Sequence, residues 1–310
     1  MICHLWSVLG MTSASEIVIT GCSAGALGVY LGIDQMVGLI YSKGSNSSTS
    51  KNRAHLAIHA IADSGFFLEF TSSFKSRTTH YPFGRDEAVN KKTGFMDYAN
   101  AMRDVFQFTN MSSGANSKCL KTHNHSPSDC VFAANLLPHI KTPIFLLQSQ
   151  YDYWQIMHIY DQKYTVQGVN DFGRTMILAI KASVFYKGHP GHGIFVDSCV
   201  HHCTNCTEGE NTWSGNSIVS QREKMTPATA FSNWYRHALL RFYNNQLRGE
   251  ISPPGLLNYN IKPIYEGKNW FAQDFPFPCE HCCNCDYDMQ LALVRNLDSR
   301  LREFNLSRSK

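Results

Sequence analysis

The sequence predicts an α/β fold, a mostly parallel sheet flanked by helices. Three observations lead there. Short apolar runs of strand length alternate with stretches of helical period, as strands and crossover helices do in a parallel sheet. One run, Glu16-Ile17-Val18-Ile19-Thr20, leads into Gly21-Cys22-Ser23-Ala24-Gly25 and then into Ala26, Leu27, Val29, Tyr30, Leu31 and Ile33. Two later runs are followed by an aspartate and by a pair of histidines, in that order.

Taken in order, residues 4 to 14 read as the end of a helix and 16 to 20 as a buried strand. Gly21 to Gly25 is a G-x-S-x-G between strand and helix, the setting of a nucleophile elbow. Its neighbours are small because the turn is tight. Such a turn lifts the Ser23 hydroxyl above the sheet and leaves the Ala24 N–H at a helix start, where it can meet a developing oxyanion. The helix continues to about Ile40, and a polar loop follows at 42 to 50. His55 to Ala62 is the next strand, ending at Asp63-Ser64-Gly65 before the apolar cluster Phe66, Phe67, Leu68 and Phe70. Residues 72 to 135 are read as irregular apart from a helix at Tyr98 to Phe108, with a disulfide expected between Cys119 and Cys130.

Pro143 to Leu147 is a continuous apolar run typical of a central parallel strand, and Asp152 lies just beyond it. Phe172 to Tyr186 has helical period, and Gly193 to Val196 is a short strand leading to His201 and His202. Pro227 to Asn244 is a helix with Phe231, Trp234, Tyr235, Leu239 and Phe242 on one side. A loop region follows Pro254, then Cys279, Cys282, Cys283 and Cys285, and Gln290 to Phe304 reads as a closing amphipathic helix. There are no internal repeats, so the 310 residues are taken as a single catalytic domain.

Composition narrows the class. Hydrophobic residues make up 43% and charged residues 17%, which suits a globular chain rather than a disordered one. A net charge of +4, spread evenly, gives no argument for nucleic acid. No apolar run is read as reaching the ~20 residues of a membrane span. Eleven cysteines and sequons at Asn46, Asn110, Asn124, Asn205 and Asn305 suit an oxidising, extracellular setting. Residues 1 to 20 lack the basic n-region of a signal peptide.

A serine that transfers acyl groups needs a base to take its proton and an acid to orient the base. When Ser23, Asp152 and a histidine follow successive strands, order and placement both match. His201 and His202 are adjacent and cannot share a face, so one of them meets Ser23; spacing alone does not choose. Asp197 is a rival acid but shares a loop with the histidines, where a loop or cap role is expected. A structural zinc between Cys199, His201, His202, Cys203, Cys206 and the cluster at 279 to 285 competes with disulfides, and the secretory signs favour disulfides.

These residues resemble the pectin acetylesterase and Notum family of α/β-hydrolase-type carboxylesterases. The segments that carry it are Gly21 to Gly25 with Gly28, Val29 and Asp34; Ala62 to Leu68; Tyr151-Asp152-Tyr153-Trp154-Gln155; Ser198 to Cys203; Thr226-Pro227 through Trp234-Tyr235; and the cysteines at 279 to 285. The resemblance implies Ser23 as nucleophile, Asp152 as acid, His202 as base because it directly precedes the cysteine, and Ala24 in the oxyanion hole. It implies no cofactor and no metal, and a secreted monomer. The motifs around Trp154, Cys203 and the tail are closer to the pectin acetylesterase branch, which deacetylates pectic polysaccharide. The Notum branch, which removes a fatty acyl group from a signalling protein, is the alternative. A binding scaffold without turnover and a zinc-organised interaction module are the rivals outside catalysis.

Two departures stand out. Ala26 occupies a place where the family usually has glycine, tolerable if the residue is helical. Only 22 residues precede Ser23, so the resemblance implies missing N-terminal strands and a missing Gly-rich oxyanion loop, as in a truncated chain.

Overall fold

The computed structural model describes residues 4–5, 8–45, 56–70, 98–160, 165–186, 191–203, 225–247, 270–272 and 275–277. Its frame is one parallel sheet of five strands: β1 (Glu16–Cys22), β2 (Ala57–Asp63), β3 (Ile144–Ser149), β4 (Gly193–Asp197) and β5 (Trp270–Ala272), lying side by side in chain order. The principal helices are α1 (Ala24–Ser45), α2 (Tyr98–Phe108), α3 (Ser117–Thr122), α4 (Val166–Lys181) and α5 (Pro227–Leu247).

Alternation along the strands sorts the helices into two layers. Ile58, Ala60 and Ala62 of β2, Ile144 and Leu146 of β3, and Ile194 and Val196 of β4 join α1 and α4 in one core cluster. The residues between them, Ile61, Phe145, Leu147 and Phe195, pack instead with Ala230, Phe231, Trp234 and Tyr235 of α5. Period 2 places successive side chains on opposite faces, so both faces of β3 and β4 are apolar and both are covered. Among the described residues, β1 pairs with β2 alone. Its side chains alternate between half-buried and exposed, with Val18 39% exposed, and Tyr235 Oη of α5 donates to Glu16 at its start.

The helix after Ser23 is apolar for 19 residues, enough by length and composition to cross a membrane. This departs from the expectation of no such run. Its apolarity serves the core: Ala26, Val29, Tyr30, Ile33, Val37 and Ile40 are buried against the sheet. Asp34 on the same helix accepts hydrogen bonds from Lys141 N (3.0 Å), Thr142 N (3.0 Å) and Thr142 Oγ1 (2.7 Å), and so fixes the entry to β3.

Several boundaries differ from the sequence reading. The stretch before β1 ends in a 3₁₀ turn at Met11–Ser13. Much of 98 to 139 is short helix rather than irregular chain: beyond α2 come α3 and turns at Met111–Ser113, Pro127–Val131, Ala133–Leu136 and Leu137–His139. Asn116 caps α3 by accepting from Lys118 N and Cys119 N, and such side-chain caps carry little weight in an apolar-period search. α4 begins six residues earlier than its period suggests, capped by Thr165, and passes into a π turn at Ala182–Tyr186. β5 falls in a region read as loop; three residues are too few for a pattern. The Cys119–Cys130 disulfide is present. Cys206, the cysteines at 279 to 285 and the helix expected at 290 to 304 lie outside the described residues.

Candidate active site

Strand register brings the chemistry to one edge. Cys22 pairs with Asp63, Asp63 with Leu147, and Ser149 with Asp197, so four strands end together. The loops leaving those ends carry Ser23, Ser64, Asp152 and His202. The carboxyl edge of a parallel sheet is where such folds place their ligands.

Ser23 stands between β1 and α1 with φ 56°, the left-handed region that non-glycine residues seldom occupy. Its N–H donates to Asp63 O at 2.8 Å, and its carbonyl accepts from Leu27 N at 3.0 Å, the first bond of α1. Gly21 is required by close approach: a Cβ there would lie 2.3 Å from the carbonyl of Gly25. Ala24 opens the helix, so its N–H is among the four without an intrahelical acceptor. Ala26 is helical and fully buried, which removes the expected difficulty of an alanine there. Gly65 opposite makes the room, since a Cβ on it would come within 2.3 Å of the Ala26 Cβ.

His202 Nε2 lies 2.8 Å from Ser23 Oγ, and its Nδ1 lies 3.0 Å from both carboxylate oxygens of Asp152. Asp152 is fully buried. A buried carboxylate needs donors for its lone pairs. Besides His202, Asp152 accepts from Gln155 N (3.0 Å), as cap of a short helix, and from Gln148 Nε2 (3.0 Å). These bonds hold it as an acceptor facing Nδ1, which leaves Nε2 to face the serine.

The two glutamines also tie β3 to the apolar segment after β2. Gln148 Oε1 accepts from Phe66 N (3.1 Å), Gln155 Oε1 accepts from Leu68 N (3.0 Å), and Gln155 Nε2 donates to Phe66 O (3.1 Å). Phe67, held there, has its ring 6.4 Å from that of His202, and Trp154 stacks on His202 at 6.0 Å. Tyr98 and His158 pack on Trp154 in turn. One side of the imidazole is therefore lined by aromatic rings.

His201 faces away from Ser23. It is buried, with Nε2 3.0 and 3.1 Å from the carboxylate oxygens of Asp197 and Nδ1 2.7 Å from the Cys203 carbonyl. Burial alone would lower its pKa; the charge of Asp197 and the hydrogen bond to it, with Asp63 and the Cys203 carbonyl, outweigh burial and push it up to about 9. Asp197 also accepts from Cys199 N (2.9 Å), so it caps the histidine loop rather than orienting His202.

Cys22 and Cys203, the residues immediately before Ser23 and after His202, form a disulfide with their Cα atoms 5.9 Å apart. Cys203 has φ 61°, and its N–H donates to Ser64 Oγ at 2.8 Å. Cys199 is likewise disulfide-bonded. Cys199 and Cys203 are thus engaged and unavailable to the zinc arrangement considered above. Among the described residues, no group of three or more His, Cys, Asp or Glu could hold a metal ion.

Sequence reasoning missed Gln148, Gln155 and the Cys22–Cys203 pair. Gln148 offered a signal, a polar side chain closing an otherwise apolar buried run. Gln155 stood in the Tyr151 to Gln155 segment without a role. The cysteine pair offered no local signal.

Over residues 1–284 the chain matches the family described as PAE: Pectinacetylesterase. It is 26% identical to pectin acetylesterase 5 of Arabidopsis thaliana across 89% of this chain and 53% of that one. It is 23% identical to the palmitoleoyl-protein carboxylesterase NOTUM of Schmidtea mediterranea, across 76% of this chain and 37% of that one. Among solved structures it resembles the Wnt deacylase Notum from Drosophila, with TM-score 0.55 and 18% identity over 77% of this chain and 57% of that one. The chain spans about half the length of the pectin acetylesterases it matches.

Proposed function

The chain belongs to the pectinacetylesterase family, and on that premise we propose that it is a serine carboxylesterase removing O-acetyl groups from pectic or related polysaccharide. Ser23 is the nucleophile, His202 the base, Asp152 the orienting acid and the Ala24 N–H an oxyanion donor. What carries the reading is the continuous chain Ser23 Oγ–His202–Asp152, 2.8 Å and 3.0 Å, at the strand ends.

The steps follow from that chain. Nε2 takes the Ser23 proton as Oγ attacks the ester carbonyl, and Asp152 stabilises the imidazolium without itself taking a proton. The Ala24 N–H, at the positive end of α1, offsets the charge on the carbonyl oxygen. The imidazolium returns the proton to the leaving alcohol, and the serine keeps the acyl group. Water, its proton taken by Nε2, releases the acid and restores Ser23. None of these steps calls for a cofactor.

The substrate class comes from the plant relatives, and the secreted, single-domain, monomeric protein is part of the same proposal. The disulfides suit an oxidising compartment, and two sequon asparagines, Asn110 and Asn124, are exposed. The likeness to Notum favours a second reading, removal of a longer acyl group from a protein. Hydrolysis of p-nitrophenyl acetate and of a long-chain ester, each compared with Ser23→Ala, separates the two. Turnover lost in the variant with acetate preferred supports deacetylation. Preference for the long chain supports the second reading. Turnover retained in Ser23→Ala refutes both.

A further inference from the structure

The histidine loop leaves β4, while Ser23 leaves β1, three strands away. At the ~4.8 Å spacing of neighbouring strands, the loop must carry His202 about 14 Å across the sheet. Its near end is well anchored. Asp197 and His201 clasp each other, Ser149 Oγ donates to Cys199 O, Ser198 Oγ donates to Gln150 Oε1, and Tyr153 N donates to His201 O. These partners lie on β3, β4 and the loops that follow them. At the far end, the Cys203 N–H reaches Ser64 after β2. Among the described residues, two links go the whole way to the nucleophile elbow: the His202–Ser23 hydrogen bond and the Cys22–Cys203 disulfide.

The disulfide joins positions 181 residues apart in sequence, and each cysteine is covalently next to a reacting residue. It also clamps β1, which has β2 as its strand partner and exposed side chains on one face. A hydrogen bond between a serine and a histidine on separate loops tolerates little drift, since a misplacement of ~1 Å can cost ~10²-fold in rate. Cys22 is exposed, whereas Cys119 and Cys130 are fully buried, so a reagent in water reaches the first disulfide before the second.

We infer that the Cys22–Cys203 disulfide completes the catalytic arrangement, so that the oxidised chain turns over ester and the chain reduced at this pair does not. The inference rests on Ser23 and His202 acting as nucleophile and base. The cysteines are positioning residues that touch no substrate. In the switching step a dithiol such as dithiothreitol gives two electrons and two protons; the protein S–S bond breaks to two thiols, and the reagent closes its own disulfide. Exchange with an oxidised thiol reagent reverses the step.

The test is a dithiothreitol titration of the full chain, with each cysteine's thiol measured by alkylation and mass spectrometry, and kcat and KM measured alongside. As Cys22 and Cys203 become labelled and before Cys119 and Cys130 do, kcat is expected to fall ~10²-fold with KM little changed. Oxidised glutathione should restore it. Cys22→Ser/Cys203→Ser should show the same loss, and Cys119→Ser/Cys130→Ser should keep its kcat. A kcat within about twofold of the oxidised enzyme with Cys22 and Cys203 labelled overturns the inference.

A second readout needs no turnover. In oxidised protein the hydrogen-bonded ring protons of His201 and His202 should give separate low-field NMR signals, assigned with Asp197→Asn and Asp152→Asn. Loss of the His202 signal on reduction, with that of His201 kept, supports the positioning role. Retention of both overturns it. If the oxidised chain hydrolyses no ester at all, the esterase reading fails, and this measurement alone decides the role of the disulfide.

Discussion

His201 gives a prediction that can be followed from atoms to a stability curve. Both of its ring nitrogens face acceptors, Nε2 the Asp197 carboxylate and Nδ1 the Cys203 carbonyl. Only the imidazolium can donate at both positions. Holding the cation is consistent with a pKa pushed up from 6.5 to about 9. A group whose folded pKa is raised stabilises the fold fully below its unfolded value, and that stabilisation is lost as pH rises through the folded value. The window here runs from 6.5 to about 9, and the difference is worth ~3 kcal/mol. The perturbation is His201→Gln, whose neutral amide leaves one acceptor without a donor. Urea unfolding of both proteins between about pH 6 and about pH 10 reads the difference, and groups that titrate alike in both proteins cancel in it. Wild type should exceed the variant by a few kcal/mol at the acid end, with the gap closing toward the alkaline end. A gap that stays constant across the range would refute the buried imidazolium.

Two further predictions concern the sheet. His59 on β2 is buried between Trp234 and Tyr235, with Nδ1 lacking a hydrogen-bond partner among the described residues, and burial lowers its pKa to about 4. The neutral form is thus the one that folds, so stability should decline by up to ~3 kcal/mol as pH falls from 6.5 to about 4; denaturant midpoints of His59→Phe should lose that part of the acid slope. Gly65→Ala would bring a Cβ to 2.3 Å from the Ala26 Cβ and 2.9 Å from backbone atoms of α1. It should cost ~1–3 kcal/mol by thermal unfolding, and Ala26→Gly should recover only the part due to the Cβ contact; full recovery would mean that the backbone is not tight.

The parts of the fold that were legible are those where one physical signal dominates. The runs Ile144 to Leu147 and Gly193 to Val196 are apolar on every residue because both faces of those strands are covered, by α1 and α4 on one side and α5 on the other. The Tyr98–Phe108 helix has its period intact. Where side-chain caps or three-residue turns set the backbone, as from Asn116 to His139, the apolar pattern is too short to speak. The start of α4 was missed for a related reason: its first turn is capped by Thr165 and exposes Val166, so the hydrophobic stripe begins later than the helix.

The site divides in the same way. Ser23 was legible because a tight turn between strand and helix restricts composition, and Gly21 shows why, with Gly25 where its side chain would stand. Asp152 was placed by following an apolar run to its end. The histidines could not be separated by spacing, since the difference lies in three dimensions: His202 turns toward β1 and His201 back toward Asp197, its neighbour by four in sequence. The bend of the loop at His202 turns the two rings to opposite sides. One side here offers a serine and a buried carboxylate, the other a carboxylate and a carbonyl, so the same residue type becomes two different chemical species. In the proposed mechanism the first exchanges a proton with Ser23, whereas the second holds its proton against Asp197 and the Cys203 carbonyl. A sequence that writes His-His-Cys therefore encodes an anchor, the proposed base and one half of a covalent tie. Only the strand register, by setting β1 beside β2 and β4 beyond β3, decides which is which.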